Sequence, residues 1–328
     1  MSDRFTKEAS AGPTVLPSST SVVDLAPEPS TWDAFVARSN PGSYLQTSAW
    51  AEVKAPNGWT PLRFMGSHIS ESGGANAVAA SGNAVGASGN ADDAGSSDDT
   101  GVSTGPGGES AFGAQLLIRK PRIFPWGFAY APRGPILERW DAATLEAFTA
   151  GLRRAVGSGG IRVSHVRIEP EIELNGPVDV DGELRHALRR CGWRTGTPIQ
   201  PPRTRQVDLT PDETVLWGDL RKKWRQYVNK ARKGEVRVVD ATVDRLPEFY
   251  AIYRETARRA GFVIRTYESY LGVWQAFARL GMARLLMAEG PDGVGMATLF
   301  LLRVGNRLVS REDILDLARV EQVPDPVV

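Results

Sequence analysis

Apolar positions along the chain recur with a period of two in some segments and near 3.6 in others, which predicts alternating strands and helices. Helices are predicted near residues 31–39, 47–54, 141–156, 181–191, 211–233, 244–260 and 267–280. Strands are predicted near residues 60–66, 112–120, 162–169, 204–209, 235–241, 282–289 and 295–303. The fold class is therefore mixed α/β (α+β). Because the helix, strand and hairpin that begin at residue 267 repeat the order seen from residue 47, we expect two related subdomains.

Two stretches lack this periodicity and are rich in small and polar residues. Residues 1–28 are predicted to be a disordered leader, and residues 67–110 a low-complexity insertion, since such segments bury too little apolar surface to offset chain entropy. The insertion lies between the strand-like runs TPLRFMG and AFGAQLLIRK, so it is interpreted as an expanded hairpin loop. We place the first subdomain at residues 29–200 and the second at 201–309, followed by a tail at 310–328.

One predicted helix carries a concentrated positive charge. From Arg221 to Lys233 the chain reads RKKWRQYVNKARK, with seven basic residues in thirteen and no acidic residue. Trp224 and Val228 are expected to pack inward while Arg221, Lys222 and Arg225 face solvent. The same inward-facing stripe includes Leu220, Tyr227 and Ala231. Thr210, Pro211 and Glu213 are expected to mark the start of the helix. The helix is expected to end at Gly234, which can take the left-handed conformation. The exposed face indicates either a polyanionic partner or a solvated surface helix.

The overall composition hides this charge. The 328 residues have a formal net charge of only +1. Residues 1–110 contain five basic and twelve acidic side chains, a net charge of −7, so residues 111–328 carry +8. Residues 111–328 are therefore expected to form a basic part of the protein that meets an anionic partner.

Several function classes have little support. The single cysteine, Cys191, is expected to be a packed residue, and His68, His165 and His186 lack metal-ligand spacing. We predict no metal and no cofactor. Neither a secretion signal nor a membrane span is recognisable, so a cytoplasmic protein is expected.

Three segments carry candidate chemistry. Gln46, Trp50 and Lys54 recur at steps of four, which places them on one face of a short helix; a terminal lysine there is either solvated or a phosphate ligand. Glu169 ends a strand just before a proline, where it is either an exposed carboxylate or a hydrogen-bond acceptor for an amine substrate. Arg265 lies beside Tyr270 and Tyr267, so these residues could hold a pyrophosphate or stack on a base.

Two further segments are interpreted as structural. The GFAYAPRGPIL segment is predicted to be an irregular turn carrying Arg133. Arg154, Gly157 and Gly159 match an acetyl-CoA pyrophosphate pattern, but they follow a helix and precede a strand, so glycines that end a helix are the favoured interpretation.

Taken together, SYLQTSAWAEVK, YAPRGPIL, RTRQVDLT with LRKKWRQYVNKARKGEVRV, and FYAIYRETARRAGFVIRTYESY resemble the FemAB family of peptidoglycan bridge-forming aminoacyltransferases. They occur in the family's order from about residue 30 to about residue 308. The resemblance implies two acetyltransferase-like (GNAT-type) subdomains. It also implies transfer of an amino acid from aminoacyl-tRNA to the stem-peptide amine of a UDP-linked or lipid-linked (lipid II) precursor, with peripheral contact at the inner membrane face.

The resemblance also implies roles for particular residues. Lys54 and Arg265 correspond to residues that hold the precursor diphosphate, Tyr270 to a substrate-binding tyrosine segment, and Glu169 to an acidic position that orients the acceptor. In the tyrosine segment, Ser269 stands where a second tyrosine is common. Arg221, Lys222 and Arg225 are expected to meet tRNA phosphates.

The last residues depart from the family pattern. After GNRLV, the sequence SREDILDLARVEQVPDPVV matches nothing in the family, so the second subdomain is expected to be incomplete. Two alternatives stay open, namely a CoA-dependent N-acetyltransferase and an inactive tRNA-binding remnant.

Overall fold

A computed structural model describes residues 21–69, 109–160, 162–173, 176, 179 and 182–310. Its helices are α1 (Pro29–Arg38), α2 (Ser48–Lys54), α3 (Ala142–Ser158), α4 (Glu183–Arg190), α5 (Glu213–Asp219), α6 (Lys222–Lys233), α7 (Leu246–Ala260) and α8 (Tyr267–Ala278). Its strands are β1 (Ser21–Asp24), β2 (Thr60–Ile69), β3 (Glu109–Arg119), β4 (Gly127–Pro132), β5 (Ile136–Leu137), β6 (Val163–Glu169), β7 (Arg237–Ala241), β8 (Ala283–Glu289), β9 (Gly295–Val304) and β10 (Arg307–Ser310). The mixed α/β class is confirmed.

The first sheet has the order β1-β2-β3-β4-β6, and β5 pairs with β3. All its pairings are antiparallel except that of β4 with β6. Helix α3 covers one face, where Phe148 stacks on Phe64 and meets the edge of Phe112. The Asp141 carboxylate accepts the Thr144 amide at 2.7 Å and so begins α3 with an N-cap.

The second sheet is antiparallel throughout, in the order β10-β9-β8-β7. Helices α7 and α8 pack on it, and Phe249 of α7 meets Phe300 of β9 edge to face at 5.7 Å. Met287 and Leu302 are fully buried beneath these helices. These residues belong to an apolar cluster separate from the one beneath α3.

The core of the second sheet continues into the first half of the chain. Trp32 and Phe35 of α1, together with Trp50 of α2, belong to the same apolar cluster as Phe249 and Phe300. The turn between β9 and β10 approaches α1 so closely that a Cβ on Gly305, which has a φ of +56°, would lie 2.0 Å from the Ala37 carbonyl oxygen. The two sheets are thus packed together, and the subdomain boundaries stay a prediction.

Several predicted elements differ in extent. Residues 1–20 of the predicted leader lie outside the described residues, but residues 21–24 form β1 and pair with β2, so the leader prediction is wrong there. The predicted hairpin is confirmed, since β2 pairs with β3 from Thr60 to Ile69. Residues 67–69 and 109–110 belong to its strands rather than to the insertion; residues 70–108 lie outside the described part.

The stretch before the basic segment also differs from the prediction. Residues 204–209 form no strand, and Val207 and Leu209 are exposed because neither of the two described sheets pairs with them. The predicted helix over 211–233 is two helices separated at Leu220, whose ψ of 134° is extended. The weak helix formers Gly218 and Asp219 precede this break.

Strands β1, β4, β5 and β10 were missed by the periodicity. The predicted irregular turn at 127–137 contains β4 and β5, with Arg133 between them in the left-handed region at a φ of +52°. Five of the six residues of β4 are buried, so the strand carries no alternating pattern, which explains why it was missed. Of the predicted tail, Ser310 belongs to β10 and residues 311–328 lie outside the described part.

Candidate functional site

Helix α2 is held firmly at its N-terminus. The Thr47 hydroxyl accepts the Trp50 amide at 3.4 Å, and the Asp33 carboxylate accepts the Ser48 amide at 2.7 Å as well as its hydroxyl. These contacts satisfy amides that have no partner within the helix. The helix therefore presents Lys54, its last residue, from a fixed position, and a cation is electrostatically favoured at that end.

Lys54 and Arg265 line the same pocket, which has a volume of about 550 Å³ and lies between α2 and α8. The Lys54 Nζ lies 4.6 Å from the centre of the Trp50 ring, a cation–π contact that fixes the ammonium at the pocket wall. Arg265 precedes α8, and its backbone carbonyl accepts the Tyr250 hydroxyl at 3.2 Å. The structure thus brings two of the predicted site residues together.

Other charged and polar residues of this pocket were missed by the sequence analysis. Arg279, the C-cap of α8, makes an ion pair with Glu52 of α2 across the pocket. Glu268 also lines the pocket, and hydrogen bonds from its own amide and from the Thr266 hydroxyl lower the pKa of its carboxyl. Glu268, Gly272, Gln275 and Arg279 recur at steps of three and four, a helical spacing that could have indicated this face of α8.

The charges of the pocket favour an anionic ligand. The lining carries three cations (Lys54, Arg265 and Arg279) and two carboxylates (Glu52 and Glu268), a net charge of +1. Two cations on opposite sides of a pocket suit a ligand with more than one negative oxygen, such as a diphosphate.

Gln46 lies outside this pocket. It ends a 3-10 helix before α2 and is fully buried. Its side-chain amide donates to the carbonyls of Pro132 at 2.8 Å and Gln115 at 3.2 Å, and its side-chain oxygen accepts the Gln115 amide at 2.9 Å. Gln46 therefore joins β3 and β4 to α2 and does not share a helix face with Lys54.

Glu169 is enclosed by donors of its own chain. One carboxylate oxygen accepts the Ile199 amide at 2.5 Å and the Arg167 guanidinium at 3.4 Å. The other accepts the Tyr130 hydroxyl at 2.5 Å and the Gln200 amide at 3.2 Å. Since a carboxylate has about four acceptor positions, these contacts saturate it. The interpretation as an exposed carboxylate is wrong, since the side chain is 13% exposed and clamps residues 199–200. The role of Glu169 in orienting the acceptor stays a prediction.

The same clamp includes the neighbouring strand. The Tyr130 hydroxyl accepts the Gln200 side-chain amide at 3.0 Å, and Arg133 donates to the Pro201 carbonyl at 2.8 Å. Burial, and secondarily the hydrogen bond to Glu169, raises the pKa of Tyr130 well above its usual range. The ends of β4 and β6 therefore hold the segment that leads into the second half.

Tyr270 is buried and does not line the pocket. It is 1% exposed and packs against Phe249 and Tyr253, while its chain neighbour Ser269 reaches the pocket wall. Tyr270 packs in the core of the second half, and its substrate-binding role stays a prediction.

The basic segment stands away from the core, and neither α5 nor α6 has a buried residue. Trp224 is 59% exposed, so the prediction that it packs inward is wrong, because none of the described helices and strands covers that face. Arg225 is turned inward instead and donates to the carbonyls of Gly218 at 2.6 Å and Trp217 at 3.3 Å. Arg221 and Lys222 are exposed as predicted.

The ends of this helical pair also differ from the prediction. The Thr210 hydroxyl donates to Asp208 rather than capping a helix, and Asp212 stands at the N-cap of α5 without a side-chain bond. At the end of α6, Gly234 has an ordinary φ of −86°, and Glu235 takes the left-handed conformation at +56°.

The glycines of RAVGSGG lie at the C-terminal end of α3. Gly157 is inside the helix and Gly159 is its C-cap. The free groups there are carbonyls, which repel phosphate, whereas the amides that would bind it are at the opposite end. The structural interpretation of these glycines is confirmed.

Among residues 21–69, 109–160, 162–173 and 182–310, no helix is both long and apolar enough to cross a membrane. In this same part of the chain, no group of three or more His, Cys, Asp or Glu side chains could hold a metal ion.

The fold and this pocket define a two-sheet α/β protein with an anion-favouring cleft between its halves, and comparison with known families identifies its class. The FemAB family model matches residues 101–290, and the chain belongs to that family. Lipid II:glycine glycyltransferase of Staphylococcus aureus strain MRSA252 is 24% identical over 263 residues, which cover 78% of this chain and 52% of the relative. The same enzyme of strain N315 is 23% identical over 262 residues, with the same coverage.

A solved structure shows the same fold. The crystal structure of FemX matches with a TM-score of 0.58 at 20% identity, covering 82% of this chain and 57% of FemX. The chain thus spans about half the length of the curated relatives that it matches.

Proposed function

We propose that this chain is an aminoacyltransferase that moves an amino acid from aminoacyl-tRNA to the stem-peptide amine of a peptidoglycan precursor. The observation that carries the proposal is the pocket shared by Lys54 and Arg265. Membership of the FemAB family supports it, as do relatives named lipid II:glycine glycyltransferase.

In this proposal, Lys54 and Arg265 bind the diphosphate of the precursor from opposite walls of the pocket. Trp50 orients the lysine ammonium, and Tyr250 holds the backbone of Arg265 through its hydroxyl. The Glu52–Arg279 ion pair joins the two walls. Holding the diphosphate fixes the precursor, so its peptide amine can be aligned with the aminoacyl ester.

The reaction is aminolysis of an ester. The acceptor amine nitrogen attacks the ester carbonyl carbon of the aminoacyl-tRNA, and the bond from that carbon to the ribose oxygen breaks. The amine gives up a proton, the ribose oxygen takes one, and an amide remains. Because the ester is already activated, alignment of the two substrates and electrostatic stabilisation can supply much of the acceleration. We assign no general base, since Glu169 is saturated by its own chain.

The exposed face of α6 fits the tRNA. Lys222, Lys223 and Lys230 are exposed there together with Trp224 and Tyr227, whose rings meet edge to face at 6.0 Å. Cations attract phosphates, and exposed aromatic rings stack on unpaired bases such as those at the acceptor end of a tRNA.

The test is amino-acid transfer by the full chain, supplied with charged tRNA and either a nucleotide-linked or a lipid-linked precursor. We expect transfer by the wild type and its loss in the Lys54→Ala, Arg265→Ala double variant. The matched control is Arg284→Ala, which removes a cation from an exposed ion pair with Asp240 outside the pocket. Wild-type transfer by the double variant would remove both residues from the site.

The CoA-dependent acetyltransferase has less support, since its candidate phosphate loop is at the carbonyl end of α3. Calorimetry with acetyl-CoA should show no binding. A tRNA-binding protein without transfer activity is separated by the same assay, because it would bind tRNA in a salt-dependent way and form no product.

A further inference from the structure

The loop between β3 and β4 is exposed along its whole length and combines cations with large apolar side chains. Counted with Arg119, the last residue of β3, this loop reads RKPRIFPW over residues 119–126, and all eight residues are exposed. Ile123 is 87% exposed, Phe124 48% and Trp126 47%. The loop carries three positive charges and no negative charge. Single exposed apolar side chains are ordinary, but a contiguous group of this kind marks an interaction surface.

The loop is ordered by its own contacts. The Phe124 amide donates to the Pro121 carbonyl at 3.4 Å, which closes a turn with Arg122 and Ile123 at its tip. The rings of Phe124 and Trp126 stack at 5.7 Å. Pro121 and Pro125 restrict the backbone on both sides of this pair. The apolar side chains are therefore presented to solvent by a preorganised turn, and little entropy remains to be lost on binding.

The chemistry of this loop fits the surface of an anionic bilayer. Aromatic side chains favour the membrane–water interface, an aliphatic side chain at the tip gains from the acyl boundary, and adjacent cations attract anionic headgroups. A nucleic acid would bind the cations and stack on the rings, but it would gain little from contact with an exposed isoleucine at the tip. Arg162 adds another exposed cation beside the loop, where its carbonyl accepts the Gly127 amide at 2.7 Å.

The loop is also joined to the pocket. The Arg119 guanidinium lies 5.6 Å from the centre of the Trp59 ring, and that ring meets the edge of Phe128 at 5.4 Å. Trp59 follows Pro56 and Asn57, which line the pocket. The first residue of β2, Thr60, pairs with Ile118 just before the loop. The loop and the pocket rim therefore lie at the same end of the β2–β3 hairpin.

We propose that residues 119–126 dock this protein onto an anionic phospholipid membrane, with Ile123, Phe124 and Trp126 inserted at the interface. The docking surface is inferred from the loop residues alone. Its consequence for the reaction rests on the proposed function: a docked loop brings the mouth of the pocket to the bilayer, which selects a lipid-linked precursor over a nucleotide-linked one.

The test is sedimentation of the full chain with vesicles of phosphatidylglycerol and phosphatidylcholine, and with vesicles of phosphatidylcholine alone. We expect binding that requires the anionic lipid and weakens as salt is raised. Charge reversal by Lys120→Glu and Arg122→Glu should weaken it by about 100-fold or more, because each basic residue near such a surface contributes roughly a factor of five. Ile123→Ser, Phe124→Ser and Trp126→Ser together should abolish it.

The matched control is the triple variant Lys222→Glu, Lys223→Glu and Trp224→Ser in α6, a second exposed surface that combines cations and aromatic rings. It should bind vesicles as the wild type does. Brominated lipids give a second readout, since they should quench more fluorescence in the wild type than in Trp126→Phe. Vesicle binding that survives the loop substitutions, or that is lost in the α6 variant instead, overturns the proposal, as does loss of tRNA binding by the loop variants with vesicle binding unchanged.

Transfer assays separate this proposal from the function on which its consequence rests. The loop variants should still use a nucleotide-linked precursor in solution, while losing use of a lipid-linked precursor in vesicles. A wild type that binds vesicles but transfers nothing would contradict the proposed function alone. A wild type that transfers to the soluble precursor but never binds vesicles would contradict the docking surface alone.

Discussion

Lys54 and Arg265 line one pocket, although one ends a helix of the first half of the chain and the other precedes a helix of the second. Their meeting depends on the packing of α2 against α8, where Tyr44, just before α2, touches Phe277 of α8 edge to face at 6.1 Å. The pocket therefore exists only when the two halves are packed together.

Removing one cation from the pocket should weaken precursor binding without unfolding the protein. We expect Lys54→Met or Arg265→Met to raise the KM for the precursor by roughly 10- to 100-fold, since a hydrogen bond to a charged group contributes about 1.5–3 kcal/mol. Steady-state kinetics at several salt concentrations would measure the effect. The KM for the charged tRNA should change much less; an equal rise in both would contradict a dedicated precursor site.

Loss of the Glu169 charge should destabilise the clamp on residues 199–200. In Glu169→Gln, the carboxylate that accepts four hydrogen bonds is replaced by an amide with one acceptor oxygen, and we expect a loss of about 2–3 kcal/mol in the free energy of unfolding. Urea denaturation would measure it. Tyr130→Phe, which removes one of the four donors, should lose about 1 kcal/mol. A stable Glu169→Gln protein that lacks transfer activity would instead restore Glu169 to the substrate site.

The clamp should also give stability a dependence on alkaline pH. Burial raises the pKa of Tyr130 in the folded state above its unfolded value, so the folded state holds this proton more tightly. The resulting stabilisation is complete below the unfolded pKa of about 10 and is lost as the pH rises above it. Denaturation at pH 8 to 11 should show a steeper loss in the wild type than in Tyr130→Phe. Parallel curves for the two proteins would rule out this coupling.

An ion pair near the end of the second sheet should stabilise the packing of the two halves. Arg307 of β10 binds both oxygens of Glu171 at 2.9 and 3.0 Å and donates to the Gly42 carbonyl at 3.0 Å, with both side chains about four-fifths buried. We expect Glu171→Gln to cost about 1–3 kcal/mol of unfolding free energy, because it leaves a largely buried cation without its counter-ion.

The control for that measurement is Asp240→Asn. It breaks an ion pair with Arg284 in which both side chains are about half exposed, so its cost should stay under about 1 kcal/mol. Equal costs for the two substitutions would show that the Arg307 contact does not contribute to joining the halves.

Charge reversal on α6 should weaken tRNA binding more than precursor binding. Lys222→Glu with Lys223→Glu should lower tRNA affinity and reduce the salt dependence of binding by roughly one unit of slope per lost phosphate contact. Filter binding over a range of salt concentrations would measure both. Arg225 is unsuitable for this test, because its guanidinium holds the end of α5. A larger effect on precursor binding would move this face to the precursor site.

The sequence by itself determined the order of most helices and strands, the concentration of charge on α6 and the two cations of the pocket. These follow from local periodicity, from side-chain type and from a motif order that resembles a family. Only the tertiary structure decided that Glu169 is saturated, that Tyr270 is buried and that Trp224 is exposed. Hydrogen-bond saturation and burial depend on partners from distant segments, such as Ile199 on Glu169 and Phe249 on Tyr270, and no spacing within one helix or strand encodes those partners.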